Sequence, residues 1–257
     1  MLGSKLGPYE LVEEIGRGGM ATVYRAIQAN MDRSVAVKII HKAIAADSTS
    51  LDRFQREARL IARLEHAHIL PVYDYNGAHD PPYIVMRYMP SGTLKDILER
   101  EPLRLGEVAF LIRQIAGALD YAHRQGVVHR DIKPSNIMVD SEGNAFLTDF
   151  GIARMVEGAE GLTASGMAVG TPGYMAPEQG MGLQVDGRVD IYALGVMLYE
   201  MLTGKMPYSA ETPMAVILKH INDPVPSACE VNEDLPLDAN DVIRMAMAKD
   251  PDSRYQT

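Results

Sequence analysis

The chain's most informative segment is His129-Arg130-Asp131-Ile132-Lys133-Pro134-Ser135-Asn136, and Asp149-Phe150-Gly151 follows it after a short hairpin. Two carboxylates and an amide in compact loops beside strands offer oxygen atoms, which are the ligands that divalent cations prefer. Asp131 and Lys133 are two residues apart, so both side chains can face one site. The ordered set therefore predicts a cation-dependent reactive site rather than a group of solvated loop residues.

Upstream, the chain carries a glycine-rich segment, Gly16-Arg17-Gly18-Gly19-Met20-Ala21-Thr22-Val23, between two strand-like runs. Glycines permit positive φ and let backbone N–H groups approach a phosphate closely. A dinucleotide-binding turn requires a helix directly after the glycines, whereas a strand follows here. A P-loop requires Gly-Lys-Ser/Thr, which the sequence lacks. The segment predicts a hairpin that contacts phosphate, and a plain turn remains the alternative.

One lysine, Lys38, lies inside the apolar run Val35-Ala36-Val37-Lys38-Ile39-Ile40. Burying its ammonium group is costly unless an anionic partner lies near. Glu57 is a candidate partner, because it falls near the apolar face of a helix predicted over residues 50–65. That pair would leave the ammonium able to contact a phosphate as well. A lysine that points outward from a half-exposed strand remains the alternative.

The change of periodicity along the chain predicts an α+β architecture of two lobes with a cleft between them. Before residue 90 the pattern indicates mainly short strands, and after it mainly helices. Strands are predicted over residues 9–15, 22–28, 34–40, 69–75, 83–88, 137–139 and 145–148. Helices are predicted over residues 50–65, 94–99, 106–125, 189–203, 212–222 and 238–248. We expect residues 1–89 to form an N-terminal lobe and residues 90–257 a C-terminal lobe.

The composition excludes several classes of protein. With 257 residues, 47% of them hydrophobic and 23% charged, the chain is typical of a folded globular protein. Its net charge of −9 makes nucleic acid an unfavourable partner, because the phosphate backbone would repel it. The single cysteine, Cys229, excludes an internal disulfide framework. The longest apolar run, residues 191–202, is shorter than the roughly 20 residues of a membrane span, so we expect no membrane contact by this chain itself.

Five motifs occur in a fixed order along the sequence. They are the glycine-rich segment, Val35-Ala36-Val37-Lys38, the segment 129–136, Asp149-Phe150-Gly151 and Ala176-Pro177-Glu178. With these motifs the chain resembles the catalytic domain of eukaryotic-type Ser/Thr protein kinases. It is most similar to the bacterial membrane-anchored kinases of that type, and the likeness runs from about Tyr9 to the end of the chain. The resemblance implies the bilobal protein-kinase fold, with a small antiparallel sheet lobe that carries one helix and a larger helical lobe.

The resemblance implies that the N-terminal lobe binds ATP. Lys38, oriented by Glu57, would hold the α- and β-phosphates, and backbone groups of residues 87–89 would bond the adenine. The residues expected to contact ATP are Ile15, Gly16, Arg17, Gly18, Gly19, Met20, Ala21, Thr22, Val23, Ala36, Lys38, Met86, Arg87, Met89 and Met138. Ala21 replaces the third glycine usual in the family and Arg87 a common acidic residue, and we expect both changes to have minor effects on ATP binding.

The resemblance also implies a role for each residue of the reactive segment. Asp131 would accept the proton of the substrate hydroxyl or orient that hydroxyl, and Lys133 would face the γ-phosphate. Thr171 would hydrogen-bond near both and help to form the peptide site; Lys133 and Thr171 together fit Ser/Thr rather than Tyr substrates. Asn136 and Asp149 would ligate Mg²⁺, for which Mn²⁺ could substitute.

Regulation, partners and location follow from the same resemblance. Thr163 and Ser165 lie in a polar, glycine-rich segment and align with activation sites of the bacterial relatives. We expect their autophosphorylation to raise activity, with Arg130 as the partner of the phosphate, while ordinary surface hydroxyls remain the alternative. The expected partners are proteins with Ser or Thr acceptors and a second copy of the chain through the N-terminal lobe. The catalytic domain would be cytoplasmic, in a protein anchored by a single membrane helix.

The resemblance also implies two structural contacts, and three other functions are alternatives to that of a protein kinase. Glu178 would pair with Arg254, and Asp190 would bond the backbone around His129. The alternatives are a pseudokinase scaffold that binds nucleotide without transfer, a small-molecule phosphotransferase and a pure interaction module. All catalytic positions of the family are retained, and residues 170–178 match the stretch that docks peptides, which favours a protein kinase over all three.

Overall fold

The computed structural model of the chain describes residues 1–19, 21–41, 58–150 and 171–257, which divide into two compact units. The first unit contains the described residues of Met1–Glu65 and Ile69–Pro90. The second contains those of His66–His68, Ser91–Arg154 and Ala159–Thr257. The first is built around a β-sheet and the second mainly of helices, so the predicted α+β class is confirmed.

The first unit contains a six-stranded antiparallel sheet with the strand order β1-β2-β3-β4-β6-β5. Its strands are β1 (Lys5–Leu6), β2 (Tyr9–Arg17), β3 (Ala21–Gln28), β4 (Arg33–Ile40), β5 (Val72–Asn76) and β6 (Tyr83–Arg87). β1 is an addition to the predicted set. β5 begins three residues later than predicted, because Pro71 has no N–H to give to the ladder. Instead the carbonyl of Pro71 accepts a hydrogen bond of 3.0 Å from the backbone N–H of Arg87.

One face of the sheet in the first unit carries the hydrophobic core, and the other face carries a different set of side chains. The core cluster consists of Leu6, Tyr9, Leu11, Tyr24, Ala26, Val35, Val37, Ile39, Tyr83 and Val85. Val23, Ala36, Lys38 and Met86 alternate with these residues along the strands, so they project from the opposite face. Val23 is paired directly with Lys38, and Ala36 with Met86. The sheet therefore gathers four of the predicted ATP-contacting residues on one surface.

The helix predicted over residues 50–65 is only partly open to comparison, since residues 50–57 lie outside the described part of the chain. Residues 58–61 are helical. Arg63 and Leu64 donate their N–H groups to carbonyls three residues earlier, at 3.1 and 3.0 Å, which is the tighter pattern of a helix end. The helix thus ends before Glu65, and the predicted end is wrong by a few residues.

The second unit contains helices and one short hairpin. The helices are α1 (Leu94–Leu98), α2 (Leu105–Arg124), α3 (Pro177–Gly180), α4 (Arg188–Thr203), α5 (Pro213–Asn222) and α6 (Leu237–Ala246), and the hairpin is β7 (Ile137–Val139) with β8 (Ala145–Leu147). α2 buries Val108, Leu111 and Ile115, which recur at helical spacing. α4 is buried along most of its length and ends at Gly204, whose φ of 67° suits a residue without a side chain. None of the helices that the structure describes is both long and apolar enough to cross a membrane.

A buried polar cluster lies where α4 meets α5 and the residues after α6. The Tyr192 hydroxyl lies 2.9 Å from His220 Nδ1, and Lys249 Nζ donates to the His220 carbonyl at 2.7 Å and to the Tyr208 hydroxyl at 3.0 Å. Burial, reinforced by the Lys249 ammonium, lowers the pKa of His220 to about 4. Burial also lowers the pKa of Lys249 to about 8. At neutral pH the cluster therefore holds a neutral imidazole beside a cation.

This cluster predicts a specific loss of stability in acid. The pKa of His220 is about 4 in the folded protein and returns to its ordinary value of 6.5 on unfolding, so the unfolded chain binds the extra proton between these pH values. The free energy of unfolding should therefore fall as the pH drops through 6.5 towards 4, by about 2 kcal/mol at pH 5 from this residue. Urea unfolding at pH 7.5 and pH 5 measures the change, and His220→Gln should lose less stability than the wild type over that interval. Equal losses in the two proteins would contradict this assignment.

Candidate active site

Asp190 fixes the start of the loop formed by residues 129–136. It lies in the first turn of α4 and is fully buried. Its Oδ2 accepts hydrogen bonds from the His129 backbone N–H and from His123 Nε2, both 2.8 Å, and its Oδ1 accepts one of 2.7 Å from the Arg130 N–H. The φ of Arg130 is 66°, a strained value for a residue with a side chain. That strain, about 1–3 kcal/mol, is offset because each hydrogen bond to a charged group contributes about 1.5–3 kcal/mol. The predicted contact of Asp190 with this backbone is confirmed.

The imidazole of His129 joins three parts of the second unit. It is fully buried, and the Asp131 N–H donates to its Nδ1 at 3.3 Å. Because Nδ1 accepts, the proton resides on Nε2, which donates to the Thr148 carbonyl at 2.9 Å. The ring also packs against Phe150 at a tilt of 38°, with 4.6 Å between ring centroids. His129 therefore ties the 129–136 loop to the residues that lead into Asp149.

Asp131 lies at the centre of a compact set of side chains. Its Oδ2 is 2.8 Å from Lys133 Nζ and accepts a hydrogen bond of 3.0 Å from Asn136 Nδ2. Lys133 Nζ also donates to Thr171 Oγ1 at 3.0 Å. The side chains of Asp131 and Lys133 are about one-fifth exposed, so both remain open to a ligand. Within the described residues, Asp131 Oδ1 accepts no hydrogen bond and is the atom left to receive a proton.

Asn136 and Asp149 are brought together by the β7–β8 hairpin. The Thr148 N–H donates to the Asn136 carbonyl at 3.0 Å, which places Asp149 directly after a residue bonded to Asn136. Asn136 Nδ2 is occupied by the backbone and side chain of Asp131, at 2.8 and 3.0 Å, so its amide oxygen is the atom available to a cation. Asp149 has a φ of 58°, a second strained value at this site. An amide oxygen and a carboxylate are both ligands that suit Mg²⁺.

This donor set is too small to hold a cation alone. The described part of the chain contains no group of three or more His, Cys, Asp or Glu side chains that could hold a metal ion. Mg²⁺ commonly takes one or two protein ligands and completes its shell with water and substrate phosphates. Asn136 and Asp149 fit that second type of site.

Besides the Lys133–Thr171 bond, the side chain of Gln179 attaches the segment 171–180 to the 129–136 loop. Gln179 Oε1 accepts from the Ala176 N–H at 3.0 Å, and Gln179 Nε2 donates to the Arg130 carbonyl at 3.3 Å. Nearby, the Tyr174 hydroxyl donates to Glu200 Oε2 at 2.5 Å. Burial is the main cause that raises the pKa of the Tyr174 hydroxyl and of the Glu200 carboxyl. The segment is therefore held from the loop and from α4.

Glu178 and Arg254 form a buried ion pair, as the resemblance implied. Arg254 Nη1 and Nη2 donate to the two carboxylate oxygens of Glu178 at 2.6 and 2.8 Å, and both side chains are almost fully buried. The remaining guanidinium donors bond the carbonyls of Arg188, Ala248 and Lys249. The guanidinium carbon also lies 4.9 Å from the ring centroid of Tyr192. Arg254 thus connects α3 to the last residues of the chain.

In the first unit, the glycine-rich segment forms the turn between β2 and β3. Gly16 pairs with Val23 and Arg17 with Thr22, and the Gly18 N–H donates to the Ala21 carbonyl at 2.9 Å. The register shifts between Glu14 and Gly16, so Ile15 is the extra residue of a β-bulge and is exposed. The Arg17 guanidinium bonds both carboxylate oxygens of Glu14 at 2.8 Å and lowers the pKa of that carboxyl.

The other residues predicted to contact ATP lie around the end of β6 and in β7. Met86 and Met89 are buried at and after the end of β6, and Arg87 is exposed between them. The N–H of Arg87 bonds the Pro71 carbonyl, so it is not the donor for adenine. Met138 lies in β7 of the second unit, opposite Phe146. Four predicted site residues lie outside the described residues: Met20, Glu57, Thr163 and Ser165.

Sequence reasoning missed three contributors to the site. His123 donates to Asp190, and Gly187 permits this approach because a Cβ there would lie 2.8 Å from His123 Nδ1. Gln179 and Glu200 bond the 171–180 segment. Gln179 directly follows the Ala176-Pro177-Glu178 motif, which was the signal that could have drawn attention to it.

Comparison with known proteins agrees with this arrangement. The family described as "Protein kinase domain" matches residues 9–257. The chain belongs to the protein kinase domain family. The predicted family is therefore confirmed. Among solved structures, this kinase domain is similar to the PknI kinase domain of Mycobacterium tuberculosis, with a TM-score of 0.77 and 30% identity over 100% of this chain and 94% of that one.

The kinase domain is also similar to larger bacterial proteins. Probable serine/threonine-protein kinase CA_C1728 of Clostridium acetobutylicum is 42% identical over 258 residues, which is 100% of this chain and 39% of that protein. Serine/threonine-protein kinase PrkC of Bacillus subtilis is 40% identical over 100% of this chain and 40% of that protein. Serine/threonine-protein kinase PknB of Mycobacterium tuberculosis is 40% identical over 97% of this chain and 41% of that protein. The chain spans about two-fifths of the length of these relatives.

The Glu178–Arg254 pair predicts a large effect of single substitutions. Arg254→Met should lower the free energy of unfolding by about 3–5 kcal/mol, because it leaves the Glu178 carboxylate buried without its partner. Replacing both residues by apolar ones should lower it by less than the sum of the two single changes. Arg244→Met is the matched control, since Arg244 is exposed on α6. Urea unfolding of the wild type, both single variants, the double variant and Arg244→Met measures these changes; a similar small loss for Arg254→Met and Arg244→Met would count against the pair.

Proposed function

We propose that this chain is the catalytic domain of a serine/threonine protein kinase, which transfers the γ-phosphoryl group of Mg-ATP to Ser or Thr hydroxyls of proteins. The observation that carries the proposal is the set around Asp131. Lys133 and Asn136 hold one carboxylate oxygen, and the other oxygen accepts no hydrogen bond from the described residues. A fixed carboxylate with one available oxygen is suited to receive the proton of an acceptor hydroxyl.

In this proposal each group of the loop acts on a stated atom. Asp131 Oδ1 orients the acceptor hydroxyl and takes its proton while the hydroxyl oxygen bonds the γ-phosphorus and the bond to the β–γ bridging oxygen breaks. Lys133 Nζ, which already contacts Asp131 and Thr171, lies where it can compensate negative charge on the transferred group. Phosphoryl transfer requires mainly alignment and charge compensation, and these side chains supply both.

Nucleotide and cation binding are assigned to the residues expected from the sequence. Asn136 Oδ1 and the Asp149 carboxylate would hold Mg²⁺, or Mn²⁺ in its place. The bound cation would neutralise part of the charge of the phosphates. In the first unit, Lys38 would contact the α- and β-phosphates with Glu57 as its partner. Val23, Ala36 and Met86 lie on the same sheet face as Lys38 and would contact the adenine.

The Lys133–Thr171 hydrogen bond supports Ser and Thr, rather than Tyr, as the acceptor residues. It joins the loop that carries Asp131 to the first residue of the 171–180 segment, at 3.0 Å. A hydroxyl acceptor close to the backbone, as in Ser or Thr, would reach Asp131 with the peptide lying against that segment. The hydroxyl of a Tyr side chain lies farther from its backbone, so a Tyr acceptor would require a larger distance between that segment and Asp131.

Regulation and the rest of the protein are further parts of the proposal. Phosphate groups on Thr163 and Ser165 would be bound by Arg130 and would raise activity. Because the chain spans about two-fifths of its relatives' length, its substrates, its membrane anchor and its dimerisation through residues 1–89 are proposals from resemblance. The catalytic domain would then lie on the cytoplasmic side of the membrane.

The proposal predicts that transfer depends on Asp131. Radiolabelled Mg-ATP and a basic acceptor protein should give phosphoserine and phosphothreonine with the wild type. Asp131→Asn should lower the rate by about 10²–10⁴, because its side chain cannot take the proton, and should keep Mg-ATP affinity nearly unchanged. Asp234→Asn, which removes an exposed carboxylate of the same unit, is the matched control and should retain full activity. Equal transfer by the Asp131→Asn protein would overturn the proposal.

The same reaction tests the proposed regulation by phosphorylation of Thr163 and Ser165. Mass spectrometry of the incubated wild type should find phosphate on Thr163, Ser165 or both, and the Asp131→Asn protein should lack it. A Thr163→Ala/Ser165→Ala protein should have lower activity than the wild type after incubation. Full activity of a wild type that carries no phosphate on residues 163 and 165 would refute this part.

A further inference from the structure

The glycine-rich turn contacts a side chain that is not among the predicted ATP-binding residues. His41 directly follows β4, and its imidazole reaches the turn between β2 and β3. Nδ1 lies 3.1 Å from the Gly19 carbonyl oxygen, and Nε2 lies 3.0 Å from Thr22 Oγ1. Gly19 is in the turn, and Thr22 is in the arm that leaves it. A single ring therefore bridges the turn and its second arm.

The partners of the ring determine its tautomer. The Gly19 carbonyl can only accept a hydrogen bond, so Nδ1 must carry the proton. Nε2 of the neutral ring is then an acceptor, and the Thr22 hydroxyl donates to it. Thr22 is buried, so little water competes for this hydroxyl. The geometry thus requires the Nδ1–H form of neutral His41.

His41 acts from the side of the sheet that faces away from Lys38. Its ring contacts Thr22, which pairs with Ile39 of the core cluster, so the ring lies on the sheet face that carries this cluster. Thr22 shares that face with Tyr24. Val23 and Lys38 project from the other face. His41 is therefore placed to hold the turn without contacting a ligand bound on the Lys38 side.

We propose that His41 is a positioning residue for nucleotide binding, which keeps the glycine-rich turn in one conformation through its bonds to Gly19 and Thr22. The inference rests on the proposed function, because it assigns the turn to the phosphates. Glycines give the turn many accessible conformations, and ordering them on binding lowers affinity. A turn already held by two hydrogen bonds loses less conformational freedom when the nucleotide binds. No covalent step and no direct contact of His41 with ATP are involved.

Two nearly isosteric substitutions separate the hydrogen bond from packing. His41→Asn keeps an N–H donor close to the position of Nδ1, whereas His41→Leu has a similar shape and no donor. Calorimetry with Mg-ATP should show a dissociation constant about three- to tenfold higher for His41→Leu, the size expected for one or two lost hydrogen bonds. His41→Asn should lie within about twofold of the wild type. The KM for ATP should change in the same way, while the KM for the acceptor protein stays constant.

A second measurement does not depend on nucleotide. The ¹⁵N chemical shifts of the His41 ring, in slightly alkaline buffer, should identify the Nδ1–H tautomer, and amide exchange at Gly18 and Ala21 should be faster in His41→Leu than in His41→Asn. Equal affinities and equal exchange of the two variants would overturn the inference, as would the Nε2–H tautomer. If the wild type takes up no Mg-ATP, the proposed function fails, and the claim that His41 serves nucleotide binding fails with it. The ring shifts and amide exchange would then still show whether His41 holds the turn.

Discussion

The buried carboxylate of Asp190 is the contact on which the geometry of the second unit's site depends. It accepts two backbone N–H groups of the 129–136 loop and one imidazole N–H, and it carries a charge with no exposure to solvent. Such a charge is stable only because all three donors are present and because it lies in the first turn of α4, where the helix dipole favours an anion. The loop in turn adopts the positive φ of Arg130 that directs Asp131 towards Lys133 and Asn136. A strained backbone is thus maintained by a fixed acceptor, and the Asp131 carboxylate gains a defined position.

A second buried charge with a complete set of hydrogen-bond partners lies beside this site. The Glu178–Arg254 pair is also buried, and every guanidinium donor has an acceptor, so the segment from residue 171 to 180 has a rigid support. Gln179 then connects that support to the loop by bonding the carbonyl of Arg130. Lys133 and Thr171 make a second connection, next to Asp131. Because these hydrogen bonds are short and each donor has an acceptor, a displacement of α4 or of the residues around Arg254 would also move Asp131.

Much of this could be predicted from sequence, for identifiable reasons. The motifs around Asp131, Asn136 and Asp149 are local, and their spacing around a short hairpin leaves few ways to arrange them. The apolar, β-branched run of residues 34–40 predicts the strand that carries Lys38. The β-branched pattern predicts too early a start for β5, since Pro71 cannot donate to the ladder. The contact between His123 and Asp190 was not predictable, since it joins residues 67 positions apart on two helices whose packing no local pattern encodes. His41 follows a strand and belongs to no motif, so only the structure shows its bonds to the turn.

Amide hydrogen exchange of the wild type and of Asp190→Asn is the most direct measurement of the role of Asp190. With the carboxylate present, the amides of His129 and Arg130 should be strongly protected, and Asp190→Asn should expose them while the amides of β3 and β4 keep their protection. The variant should also lose phosphoryl transfer, because the position of Asp131 depends on these two bonds. Unchanged protection at residues 129 and 130, together with unchanged transfer, would contradict the account.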